Sequence, residues 1–243
     1  MKNKTDLNIW TYWEGPQPDW IGLCLESLRR HNPTARILTP PDLQAMDLPG
    51  LRNLDMDHLR ICQKSDVIRY ALLHEHGGLW VDADCIVFKP LDDLLDIICK
   101  LQMITYGGHS AKKTPNRTAL MGCLPSDPIV GTALRRAANL VCAGATLRRN
   151  VLGPALLSRS CEIGAENSWP SAVIEAGLIQ PVLFKNRKKY KEHASDLEHE
   201  KHFCPDAWTY MLTNHFPLRH MSRAQIMSSK MFGGFLFRRA MGK

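Results

Sequence analysis

Across its 243 residues the chain has no uninterrupted apolar run approaching the about 18 residues that a membrane-crossing helix requires. The opening residues, MKNKTDLNIW, also lack the apolar centre of a secretion signal, so a cytoplasmic protein is expected. The 8 cysteines, at positions 24, 62, 85, 99, 123, 142, 161 and 204, include no C-x-x-C spacing. Scattered among apolar residues, they read as small buried hydrophobes in a reducing compartment. Aromatic residues make up 7% of the chain, and no basic stretch is interleaved with several of them, so nucleic acid is not expected as a partner. Hydrophobic and charged fractions of 44% and 23% are ordinary for a globular chain and exclude disordered and fibrous classes.

What the chain does have is a positive surplus of +7, which attracts anions: nucleotide diphosphates, anionic lipid headgroups or acidic glycans. Its length suits one domain, large enough to bury roughly three quarters of the surface its unfolded form exposes.

The densest pattern is KSDVIRYALLHEHGGLWVDADCIVFKP, residues 64 to 90. It reads as an amphipathic helix, a double-glycine stop, a short apolar strand over Leu79, Trp80 and Val81, and then Asp82 and Asp84 one residue apart. In a continuing strand these aspartates face the same side, with Ala83 between them. Strand ends of open α/β sheets are where ligands bind, and two hard oxygen donors there suit Mn²⁺ or Mg²⁺. A D-x-D pair alone is also compatible with a solvated turn or a helix cap. Upstream, Asp66 and Arg69 are i, i+3 neighbours and Asp66 and Tyr70 are i, i+4 neighbours on the preceding helix.

Taken together, S-D-x-x-R-Y, then G-G-L-W-V-D-A-D, then K-P-L resemble the D-x-D sugar-transferase family that includes bacterial capsular-polysaccharide synthesis proteins. The resemblance implies an α/β fold of the GT-A type, a Rossmann-like nucleotide-sugar domain with a mixed central sheet flanked by helices. It implies that Asp82 and Asp84 engage the metal and the donor diphosphate, and that Asp66 and Arg69 hold the donor sugar and its phosphate. Tyr70 and Ala83 join the donor site on the same basis. The opening I-W-T-Y-W-E-G is similar to the family's first strand, in which an aromatic stacks on the base, a role that falls to Trp13 with Trp10 second. Read without the family, both tryptophans are core residues of a strand.

Elsewhere the periodicity predicts a helix over 20–31, a strand at 35–38, a long helix capped by Asp57 or Asp55 and running to His76, and a helix capped near Asp127. Asn116, at the end of the loop GGHSAKKTPNR, is a donor-contact candidate, and that loop is either mobile over the site or solvated. Val151, Leu152, Gly153 and Pro154 resemble the family's T-G-P loop, with leucine in the threonine position. Many metal-dependent transferases of this fold draw a third ligand from a C-terminal histidine, which makes His215 the candidate and His220 the reserve. The basic run 185–191 and the tail MFGGFLFRRAMGK are solvated or packed segments, or contacts with an anionic membrane surface.

The expectation is one domain over 1–243, with 1–155 serving the nucleotide sugar and 156–243 the acceptor side. Its function is a metal-dependent glycosyltransferase using a UDP- or GDP-sugar donor and a glycan or lipid-linked acceptor in surface polysaccharide synthesis, with retention of configuration. The alternative is a non-catalytic nucleotide-sugar or glycan-binding protein on the same fold.

Overall fold

Four consecutive buried side chains, Ile9, Trp10, Thr11 and Tyr12, form the first strand, β1 (Ile9–Tyr12), one place in from the edge of the principal sheet. The computed structural model describes residues 4–107, 117–144, 147–212 and 218–243. Helix α1 (Asp19–His31) follows, then β2 (Arg36–Leu38), the short α2 (Pro40–Met46) and the long α3 (Ile61–His76). Next come β3 (Gly78–Val81), β4 (Cys85–Val87), α4 (Asp92–Leu101), β5 (Met103–Gly107), β6 (Arg117–Cys123) and α5 (Pro128–Cys142). A π turn at Val151–Ala155 leads into α6 (Leu156–Glu166), β7 (Ala172–Glu175) and the single-turn α7 (Ala176–Ile179). A 3-10 segment, Phe184–Lys191, precedes α8 (Asp196–Glu200), β8 (Thr209–Met211), α9 (Arg223–Ser228) and α10 (Phe232–Ala240).

Strand order in the six-stranded sheet is β2-β1-β3-β6-β5-β7. β1 pairs in parallel with β2 and β3, β6 runs antiparallel to both β3 and β5, and β7 lies parallel to β5. A separate antiparallel pair joins β4 to β8. Residues beyond 156 therefore contribute an edge strand to the main sheet and half of the small one.

Alternation divides the core. Trp10, Trp80 and Met121 face one side, under α3, α5 and α6, while Ile9, Leu79, Val81 and Leu120 face the other, against α4. A further cluster gathers α1, α9 and α10 around Tyr210. The close approach of β3 to β1 depends on Gly78, with φ +103°: a Cβ there would stand 2.2 Å from the Asn8 carbonyl oxygen. Only glycine satisfies both the dihedral and the contact.

Three boundaries were open in the sequence, and one differs from expectation. Helix α3 starts at Ile61, not near Asp57, because the Gln63 side chain accepts from the Arg60 N–H at 3.1 Å. Asp55 instead stabilises the preceding turn, accepting from the Asp57 N–H at 3.0 Å. Strand β3 stops at Val81, as expected, and Asp82 follows it directly. Asp127 does cap α5, accepting from the N–H groups of Ile129 and Val130, both at 3.0 Å. Of the cysteines, Cys24, Cys85 and Cys123 are buried as expected, whereas Cys62, Cys99, Cys161 and Cys204 are half-buried and Cys142, the last residue of α5, is exposed.

Candidate functional site

A cleft of about 510 Å³ opens at the carboxyl end of β3. Helix α3 contributes Asp66 and Arg69, the turn after β3 contributes Asp82 and Asp84, and the start of β6 contributes Arg117 and Thr118. Arg149, Asn150 and Pro154 come from the π turn and its approach, Gln180 from the end of α7, and Met211 from β8. This lies at the crevice beyond the parallel strands, where open α/β sheets bind ligands.

The two aspartates do not extend the strand. The Cys85 N–H donates to the Asp82 carbonyl at 3.1 Å, closing a tight turn, while the Asp82 N–H donates to the Ala119 carbonyl at 2.8 Å. The Asp84 carbonyl accepts from the Leu212 N–H at 3.0 Å, which ties the turn to the end of β8. Both carboxylates reach the cleft, each through a fixed backbone, and not through strand alternation.

Arg69 is buried among them. Its Nη1 donates to Asp66 Oδ1 at 2.5 Å and its Nη2 to Asp82 Oδ1 at 2.6 Å, with the guanidinium carbon 4.9 Å from the Trp80 ring centroid. The Trp80 indole N–H donates to the same Asp82 oxygen at 2.6 Å. Burial opposes the charge of Arg69, yet the carboxylates of Asp82 and Asp66 hold it above its ordinary value, so it stays cationic. Burial pushes the Asp66 carboxyl up to about 6, with Arg69 pulling it back down. Burial, then the neighbouring Asp82 charge, raises Asp84 well above the usual carboxylate range.

Gly153 explains how the π turn closes on this site. A Cβ there would meet Asp66 Oδ2 at 2.6 Å, so the carboxylate rests directly on the glycine backbone. Tyr70 fastens the same turn, its hydroxyl donating to the Gly153 carbonyl at 3.1 Å.

Acid groups aimed at one point repel each other, and a divalent cation relieves that repulsion. Asp82 and Asp84 supply hard carboxylate oxygens, the donor chemistry that Mn²⁺ and Mg²⁺ accept while completing their shells with water and substrate oxygens. The pair fits such an ion. Among the described residues no group of three or more His, Cys, Asp or Glu side chains forms a complete cation site.

Of the residues named from sequence, Asp66, Arg69, Asp82 and Asp84 meet in the cleft. Tyr70 does not: it is fully buried, under the π turn, and supports the site from below. Ala83 is buried against the cluster around Tyr210. Trp10 is a core residue with its indole N–H on the Gly77 carbonyl at 2.8 Å, whereas Trp13 is half-buried beyond the end of β1 and does not line the cleft. His215 and Asn116 lie outside the described residues. His220 is exposed and accepts from Arg219 Nε at 2.9 Å, away from the cleft lining. Sequence reasoning missed Arg117, Thr118, Arg149, Asn150, Gln180 and Met211, which come from segments far apart in the chain. The polarity of the loop ending at Arg117 was the one local signal.

The chain matches the family model described as "Capsular polysaccharide synthesis protein" over residues 1–123, half its length. No curated protein matches it. Among solved structures it is similar to the apo form of glycosyltransferase GlyE from Streptococcus pneumoniae TIGR4, at a TM-score of 0.55 and 11% identity, covering 97% of this chain and 60% of that one. It is also similar to an active-site mutant of LgtC, at a TM-score of 0.51 and 10% identity, covering 97% of this chain and 95% of that one. The chain thus spans three fifths of GlyE and nearly all of LgtC. Identities this low speak for the fold. With a mixed sheet flanked by helices and a cleft at the carboxyl end of β3, the chain has the GT-A fold of glycosyltransferases and belongs to the capsular polysaccharide synthesis protein family.

Proposed function

We propose that the protein is a metal-dependent glycosyltransferase. It moves a sugar from a nucleoside-diphosphate sugar, UDP- or GDP-linked, to a glycan or lipid-linked acceptor in surface polysaccharide synthesis, with retention of configuration. The observation that carries this reading is the convergence of Asp66, Asp82 and Asp84 with a buried, fully charged Arg69 in one cleft at the carboxyl end of β3. Asp82 and Asp84 would hold the cation, which when bound neutralises charge on the departing diphosphate. His215 is the proposed third protein ligand.

The side chains of this protein do the rest. Arg69 fixes Asp66 and Asp82 in place and sets a positive charge beside the leaving group. Asp66, braced by Gly153, accepts from sugar hydroxyls and orients the donor. Trp13 stacks on the base at the outer end. The side of the cleft lined by Met211 is the proposed acceptor side, served by the 156–243 part of the chain. No helix among the described residues is long and apolar enough to cross a membrane. A lipid-linked acceptor would be met at the inner face of a membrane, with the basic segment 185–191 toward anionic headgroups.

The test is release of free nucleoside diphosphate from a panel of UDP-, GDP- and other activated sugars, with Mn²⁺ or with EDTA. One donor turned over only with metal, and at least about 10²-fold more slowly by Asp84→Asn, is the expected result. Turnover that is indifferent to EDTA and to Asp84→Asn would remove the proposal.

A further inference from the structure

Phosphate binding by Arg69 meets an obstacle in the cleft itself. Both of its terminal nitrogens are engaged, on Asp66 at 2.5 Å and Asp82 at 2.6 Å, and its side chain is 3% exposed. A guanidinium held this way orients its partners, and the N–H groups it has left, the unpartnered Nε among them, belong to a buried side chain.

Arg117 stands differently. It opens β6, two residues before the Ala119 carbonyl that accepts from the Asp82 N–H, and so lies beside the aspartate turn. Its own carbonyl accepts from the Thr105 hydroxyl at 2.8 Å, which pins the backbone. Its Nη1 donates to Gln180 Oε1 at 3.2 Å. Gln180 is 1% exposed, and its N–H donates to the Ala176 carbonyl at 2.7 Å, so the amide that aims Arg117 is itself fixed. Both side chains line the cleft with Asp82 and Asp84. Among the described residues no carboxylate forms an ion pair with Arg117, and it is only half-buried. A guanidinium aimed by a neutral amide, with charge and donors to spare, matches an oxyanion supplied by a ligand.

We infer that Arg117, positioned by Gln180, binds an oxyanion of the substrate, while Arg69 is the strut that holds Asp66 and Asp82. The inference rests on the transferase reading of this cleft. The oxyanion is the donor's diphosphate or a carboxylate on the transferred sugar, since the guanidinium fork serves either.

Calorimetric titration of the full chain in Mn²⁺ with a nucleoside, a nucleoside diphosphate and a nucleotide-linked uronic acid separates these sources. Arg117→Gln is expected to weaken oxyanion binding about tenfold or more, with nucleoside binding and the melting transition unchanged, and Arg117→Lys to recover part of the loss. Gln180→Glu sets a carboxylate against the guanidinium and is expected to weaken the same ligands without adding to the loss in the double variant. A loss for the plain diphosphate locates the oxyanion there, and a loss confined to the uronic acid locates it on the sugar; either supports the inference. Equal affinity of wild type and Arg117→Gln for every ligand overturns it. If wild type binds no nucleoside diphosphate or activated sugar, the transferase reading falls first and takes the inference with it.

Discussion

Asp66 shows how the site is built one side chain at a time. It lies on α3, touches Arg69 at 2.5 Å, rests on Gly153 and has its carboxyl raised from 3.8 to about 6, first by burial. Between those values the native state keeps a proton that the unfolded chain has released, so this group's contribution to stability is present below about 4 and is lost as pH rises through about 6. Asp66→Asn cannot ionise and escapes that loss. Its melting temperature relative to wild type, measured without metal, should therefore rise across this window; a flat difference would contradict the burial argument. Asp66, Arg69, Asp82 and Asp84 were legible in the sequence because S-D-x-x-R and D-A-D place them at fixed local spacings. Trp10 was legible as a core residue of its strand, whereas Tyr70 was not legible as a support, since the direction of an aromatic side chain is set by the elements packed on it.

At the scale of elements, the helix and strand succession as far as about residue 130 followed from periodicity, and Asp127 was identifiable as a cap because Pro128 follows it. The turn that follows β3 was not. The pattern L-W-V-D-A-D continues the strand alternation, but the pairing of Asp82 with Ala119 and of Asp84 with Leu212 bends the chain into a turn, and those partners are distant in sequence. Long-range pairing likewise assembles Arg117 and Gln180, for which no local pattern exists. The π turn at Val151–Ala155 makes an element-level prediction. Gly153→Ala drives a methyl group into the Asp66 carboxylate, 2.6 Å away, and should cost about 1–3 kcal/mol as overpacking. Chemical denaturation would measure that loss, and donor KM should rise with it. A neutral result on both would mean that the turn moves freely from α3.

On the scale of the whole molecule, the apolar tail settles into the interior. Phe232, Phe235, Leu236 and Phe237 of α10 are buried with Tyr210 and α1, while Arg238 and Arg239 turn outward to Asp196 and Glu200. Its apolar face is thus spent on the core, and Phe235→Ala should lower stability by about 3–5 kcal/mol while leaving sedimentation with anionic vesicles unchanged. A lost vesicle interaction with intact stability would instead make the tail a membrane contact. The same packing brings β8 and the end of α7 to the cleft, so the site draws on segments between Cys62 and Met211. The central claim is that Asp82 and Asp84 together form a cation site at the end of β3. Electron paramagnetic resonance of Mn²⁺ titrated into the protein, with and without nucleoside diphosphate, tests it most directly. The account predicts one bound ion per chain, tightened by the diphosphate and lost in both Asp82→Asn and Asp84→Asn; binding that persists unchanged in those variants would contradict it.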